Sequence, residues 1–229
     1  MFVLENYHNN QPYTFNLYDN CYISNIVRQG NIYEDFLHKI FEQYINEDSI
    51  VIEGGCHIGL HSVKLSKLSK KLYCYEPLKS SYDLLLSNLE LNNCENVEVF
   101  NNALSDKQSK VKFNWIGNGN PGASGLHDNP MGNINSTPTD IQVKTLTIDS
   151  LNLSELDFIK LDVEGYELKA LKGGIETIKK FKPIITLECW ENHQGYSSLT
   201  HTQTIFKEII DLGYSVSSMT YNDYLFLPL

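Results

Sequence analysis

The chain reads as an α/β protein: a mostly parallel sheet with helices on both faces. Short β-branched apolar runs ending in glycines or acids, amphipathic helical patterns after them, and the regular alternation of the two predict it. At 229 residues the chain is long enough for one sizeable core. A single domain is expected, with 1–47 as an N-terminal extension carrying a helix and 48–229 as the core.

Residues 1–29 hold short strands or loops with no readable order. From position 31, NIYEDFLHKIFEQYIN places Ile32, Phe36, Leu37, Ile40, Phe41, Tyr44 and Ile45 on one helical stripe. Asn31 would cap it, with Glu34 three residues on. SIVIEGG (49–55) is a strand ending in two glycines, followed by a helix through Lys70. KLYCYEP (71–77) is a second strand, and Pro77 suits the opening of a helix carrying Tyr82, Leu85, Leu86 and Leu89 on its apolar face. NVEVFNNAL (96–104) supplies a third strand.

The alternation then breaks. Two β-rich runs, KVKFNWI and DIQVKTLTI, flank a Gly-, Asn-, Pro- and Ser-rich segment. So long a connection is either disordered or functional. Residues 115–140 are expected to be an inserted β-loop-β substrate segment, with 115–137 as a lid in the functional version. DFIKLD (157–162) resumes the sheet, YELKALKGGIETIKKF (166–181) is a helix, and PIITLECW (183–190) is a fifth buried strand. QTIFKEIIDLGY is a helix stopped by Gly213, and YSVSSMT with DYLFLPL closes as a hairpin.

Eighteen basic against 28 acidic residues give a net charge of −10. That balance repels a phosphate backbone or an anionic membrane surface, so neither is expected as a partner. The start of the chain has no basic-then-apolar pattern, and no 18 apolar residues run together, which suggests a cytoplasmic protein. Cys21, Cys56, Cys74, Cys94 and Cys189 are scattered without C-x-x-C spacing and read as reduced thiols.

Chemistry is expected at the carboxyl ends of the strands, where open α/β sheets hold ligands. EGGCHIG (53–59) sets Gly54, Gly55 and Gly59 in a G-G-x-x-x-G spacing, unlike the dinucleotide G-x-G-x-x-G. This suits a cofactor without a pyrophosphate, its amino group held by Glu53. His57 and His61 stand four apart, as metal ligands can, but lack a third, so solvent or cap roles are preferred. Glu76, 23 residues after Glu53, is placed to accept both hydroxyls of a ribose. Asn102 and Ala103 offer an adenine edge its partners, or are a plain turn. Lys160 and Asp162 share a strand face, and Glu188 ends beside Asp162 if the two strands adjoin. The three either line a crevice or form a salt-bridged edge. Glu164 either favours the next helix through its charge or joins the site.

VIEGGCHIGLHS, LYCYEP, NNALSD, ITLE and especially FIKLDVEGYELKALKGG resemble the FkbM-type S-adenosylmethionine-dependent methyltransferases, over about residues 30–190. The resemblance implies a class I methyltransferase (Rossmann-like) fold with seven strands in the order 3-2-1-4-5-7-6. It implies S-adenosylmethionine (SAM) as cofactor, S-adenosylhomocysteine (SAH) as product, and O-methylation of a hydroxyl. Sugar hydroxyls, on a nucleotide-activated sugar or a glycan unit, are the commoner case. Carried over by position, Glu53, Gly55 and Gly59 would contact the methionine part, Glu76 the ribose, and Asn102 with Ala103 the adenine. Gly54, His57 and Asp162 complete the cofactor set.

The family more often has Asp at the position of Glu53, and beyond Trp190 the likeness is loose. Asp162 or Glu188 would take the hydroxyl proton, with Lys160 steadying the alkoxide or pairing with one acid. A divalent metal between Asp162 and Glu188 is the less favoured variant, and no metal ligand is assigned. An NAD-dependent oxidoreductase, a nucleic-acid 2′-O-methyltransferase and a non-catalytic SAM-binding partner protein are the alternatives. A small-molecule or glycan acceptor is expected, and a homo-oligomer is compatible with the sequence.

Overall fold

The computed structural model describes residues 1–9, 11–115, 121–126, 137–189 and 198–229. It opens with an antiparallel hairpin, β1 (Phe2–His8) and β2 (Gln11–Phe15), then α1 (Tyr22–Arg28) and α2 (Asp35–Tyr44). The second helix starts later than the Asn31 cap predicts. Glu34 takes a left-handed φ of 50° at the helix boundary, and its carboxylate meets His61 instead of the helix start.

The core follows: β3 (Ile50–Gly54), α3 (Leu60–Leu68), β4 (Lys71–Tyr75), α4 (Lys79–Leu91) and β5 (Val97–Phe100). An insertion then carries β6 (Ala103–Leu104), β7 (Ser109–Trp115), β8 (Gly125–Leu126) and β9 (Thr137–Leu146). β10 (Phe158–Leu161), α5 (Glu167–Lys172), α6 (Ile175–Phe181), β11 (Ile184–Glu188), α7 (Ser198–Asp211), β12 (Tyr214–Ser218) and β13 (Asp223–Pro228) complete the chain.

Seven strands form the main sheet in the order β5-β4-β3-β10-β11-β13-β12. The first five are mutually parallel, and β13 runs antiparallel to both its neighbours. Parallel strands buried on both faces explain why the runs 50–54 and 158–161 are almost wholly apolar. Val51, Leu72, Cys74 and Phe158 pack with Val63, Leu65, Leu85 and Phe41 on one face. Ile52, Ile159, Leu161 and Ile185 pack with Leu171, Ile178 and Ile205 on the other. The period of two along each strand does the sorting.

Three expectations need correction. The run 96–104 is not one strand: the Asn101 side chain donates to the carbonyls of Glu76 (2.9 Å) and Pro77 (3.0 Å), and the chain leaves the main sheet there. Ala103 and Leu104 pair with β9 in a separate four-stranded sheet, β6-β9-β7-β8. The helix expected over 166–181 splits into α5 and α6. At Gly173 a Cβ would lie 2.0 Å from the Ser105 carbonyl oxygen, so the insertion packs straight onto the break. Leu86 is 40% exposed, off the apolar face assigned to it.

Of the predicted lid, 116–120 and 127–136 lie outside the described residues, as does Trp190. Among the described residues no helix is long and apolar enough to cross a membrane, and the five cysteines are free.

Candidate active site

A cavity of about 360 Å³ opens at the carboxyl ends of β3, β4, β10 and β11. Its floor is the turn after β3. The Gly55 N–H donates to the Tyr75 carbonyl (3.0 Å), and Gly55 holds φ +81°. A Cβ there would meet the Asp162 carbonyl oxygen at 1.7 Å, so only glycine lets this turn lie against the end of β10. Gly59 caps α3 at φ 85°; neither it nor Gly54 lines the cavity.

Glu53, expected at the cofactor's amino group, is not among the residues that line the cavity. It is 1% exposed, lies under the turn outside the cavity lining, and accepts a hydrogen bond from the Ser62 hydroxyl (2.6 Å). Glu53 shares the face of Val51 and is paired in register with Lys160 and Cys74.

Glu76 does line the cavity. Its Oε2 accepts the His57 backbone N–H and its Oε1 the Leu78 backbone N–H, both at 2.8 Å. Burial pushes its pKa up to about 8, against the pull of those two donors. Beyond it the wall is apolar: Leu78, Ala103, Leu104, Phe113 and Leu126, with Tyr75, whose ring stacks on Phe100 at 4.8 Å. Asn102 turns away and donates to the Lys144 carbonyl (3.3 Å), so of the expected adenine pair only Ala103 reaches the cavity.

The other end is acidic. β10 and β11 adjoin in parallel, which brings Asp162, Glu164 and Glu188 together with carboxylate oxygens all within 4.8 Å. Lys160, 3% exposed, lies 3.4 Å from Asp162. Burial opposes its charge, but Asp162, Glu53 and Glu34 prevail and hold its pKa above the ordinary value. Burial likewise opposes ionisation of Asp162, yet Lys160 and a hydrogen bond from Glu188 hold it below the usual carboxylate range. Burial and the Asp162 charge raise both Glu188 and Glu164. Like charges this close do not all ionise.

Sequence reasoning missed Glu167. Its Oε1 accepts the N–H groups of Val163 (3.2 Å) and Gly165 (3.0 Å), so Glu167 ties down the helix start and leaves Glu164, at φ 53°, in the cavity wall. The spacing E-x-x-E over 164–167 was the available signal. Tyr22, Ile23 and Tyr33 from the N-terminal extension and 121–126 from the insertion close the sides.

The histidines differ from expectation. His57, at φ 49°, stacks on Tyr18 (5.7 Å between centroids), and burial lowers its pKa to about 4. His61 is 6% exposed, and its Nε2 pairs with Glu34 at 3.0 Å. Both line the cavity. Among the described residues His57 Nε2, His61 Nδ1 and Tyr75 Oη have no hydrogen-bond partner. Buried polar atoms without partners are costly.

The sequence model of the methyltransferase FkbM domain matches residues 54–216. The chain belongs to the FkbM methyltransferase family. Among relatives of the family member described here is the methyltransferase sdnD of Sordaria araneosa, 25% identical over 173 residues, 62% of this chain and 66% of that one. A methyltransferase FkbM structure from Methylobacillus flagellatus superposes with a TM-score of 0.53 at 16% identity, over 82% of this chain and 50% of that one. This chain thus spans about half the length of that FkbM protein. A Streptococcus mutans protein solved in complex with SAH gives 0.50 at 13% identity, over 84% and 94% of the two chains. These likenesses show a shared class I methyltransferase fold. The residues present fit the cofactor such a family uses: an acceptor carboxylate at Glu76 and a turn only Gly55 allows.

Proposed function

We propose that this FkbM-family chain is a SAM-dependent O-methyltransferase acting on a hydroxyl, in the first instance of a sugar or glycan unit. The observation that carries it is Glu76: a buried carboxylate at the end of β4, bonded to the backbone of the turn after β3 and facing the same cavity as Asp162. Glu76 would hold the ribose, the wall from Leu78 to Leu104 the adenine, and the turn at 55–57 the methionine part. When bound, SAM supplies an electrophilic methyl group on a sulfonium, which leaves as a neutral thioether.

Alignment is the larger task for the chain, since holding two reacting groups in line is worth up to about 7–11 kcal/mol. A carboxylate of this chain would take the proton that the acceptor hydroxyl gives up when its oxygen accepts the methyl group. Asp162, held below the usual carboxylate range by Lys160 and Glu188 against the effect of its burial, would take that role, and Glu188, raised by burial and the Asp162 charge, would position it through their hydrogen bond. Lys160 is engaged with Asp162, which favours its pairing role over a direct one.

Asp162→Ala tests this. Methyl transfer from SAM to a glycan hydroxyl should fall about 10²–10⁴-fold while SAH binding holds. Turnover left intact with cofactor binding unchanged would remove Asp162 as the base.

A further inference from the structure

The main sheet has two edges, and they differ. At one, β5 carries Glu98, whose carboxylate reaches Lys71 of β4 at 3.4 Å. A charge on an edge strand discourages a further strand from pairing there. At the other, β12 reads Tyr-Ser-Val-Ser-Ser with neither a charge nor a proline, and Ser215, Val216, Ser217 and Ser218 are all exposed.

The register fixes which backbone groups of β12 are open. Gly213 accepts from the Leu229 N–H (2.9 Å) and the Met219 N–H donates to Asp223 (2.8 Å), so the odd-numbered residues between them face β13. The N–H and C=O groups of Tyr214, Val216 and Ser218 then point out of the sheet edge, with no neighbouring strand among the described residues. Turned about a two-fold axis through Val216, this row is complementary to itself: Val216 exchanges both bonds with its counterpart, and Tyr214 pairs with Ser218 in each direction. No like charges meet on such an axis, and the nearest charged residues of α7, Lys207 and Asp211, are paired with each other.

A strand pair by itself buries less than the roughly 800 Å² per partner of a stable dimer, so an apolar face must lie beside it. α7 supplies one. Its Glu208 reaches Lys172 of α5 (3.8 Å), on the β10 side, while Phe206 packs its ring on Tyr224 and Phe226 of β13. At about 3.6 residues per turn Ile210 lies on the flank opposite Glu208 and one turn on from Phe206, which sets it over β12. Ile210 is 46% exposed; Val216, on the face where Tyr214 packs with Ile205 and Ile209, is 37% exposed.

We infer that this chain forms a two-fold dimer in which β12 pairs antiparallel with β12 of a second copy, centred on Val216 and flanked by Ile210. The two sheets join into one, and the cavities open at opposite ends of it, so each stays complete within its own chain. This goes beyond the methyl-transfer reading and does not depend on it.

Sedimentation equilibrium of the full chain tests it. The wild type should reach twice the chain mass, with a Kd of about 10 µM or below. Val216→Lys sets like charges on the axis, and Val216→Pro removes an outward N–H while sparing the bonds to β13; in each the Kd should rise about tenfold or more with SAH affinity unchanged. Thermal melts check that both variants fold. Val216→Cys adds a positional readout, because directly opposed residues hold their Cβ atoms about 4.5–5.5 Å apart. Mild oxidation with diamide should link two chains of that variant, a link absent from the wild type. A monomeric wild type, as when a further segment or another protein takes this edge, overturns the inference. So does a dimer that persists in both variants, or one that Val216→Cys fails to cross-link.

Discussion

The backbone N–H of His57 donates to Glu76 Oε2 across 2.8 Å. The turn that follows β3 and the carboxylate that ends β4 are therefore one unit, with the second oxygen fixed by Leu78. Each oxygen keeps a lone pair for a ribose hydroxyl. Glu76→Ala removes both the ribose acceptor and the brace of the turn, and SAH affinity should drop about 10–100-fold by calorimetry. Unchanged affinity would take the ribose away from Glu76.

Ionisation of the same group gives a pH dependence whose sign is fixed. Burial raises Glu76 to about 8 and Glu167 to about 7, above the ordinary 4.5 of the unfolded chain. The folded protein holds these protons where the unfolded chain has lost them, so folding takes up protons across that window. Stability of the ligand-free protein should fall as pH rises from about 4.5 to about 8. Urea melts should show it, with a shallower slope in Glu76→Gln; a steeper slope would contradict the assignment.

Gly55→Ala combines a left-handed φ with a Cβ 1.7 Å from a backbone oxygen. The end of β10 would have to move. A loss of more than about 2 kcal/mol in unfolding free energy is expected, with SAH binding weakened beyond what stability alone explains.

Glu167→Ala leaves the N–H groups of Val163 and Gly165 without their acceptor. A cost of about 1–2 kcal/mol in denaturant melts should result, as for a lost helix cap. Because Glu164 sits between those two donors in the chain, methyl transfer should fall as well. A stable but fully active variant would show that Glu164 does not depend on this brace.

The strands at 50–54, 71–75, 158–161 and 184–188 were legible because parallel strands buried on both faces leave continuous apolar runs. The meeting of Lys160, Asp162 and Glu188 was legible from strand period and adjacency alone. What escaped was decided by tertiary partners. Glu34 pairs with His61 instead of closing a capping box, Asn101 pulls the chain off the sheet, and Gly173 breaks a helix because the insertion packs on it. The position of Glu53 escaped for the same reason: Lys160, in register with it on the same face, reaches the cavity, whereas Glu53 is taken up by the Ser62 hydroxyl.

Titration of the protein with SAH, with NAD as the comparison ligand, tests the central claim most directly. The account predicts one SAH per chain, weakened by Glu76→Ala, and no binding of NAD. Binding of NAD in preference to SAH, or no binding of SAH to the intact wild-type protein, would contradict it.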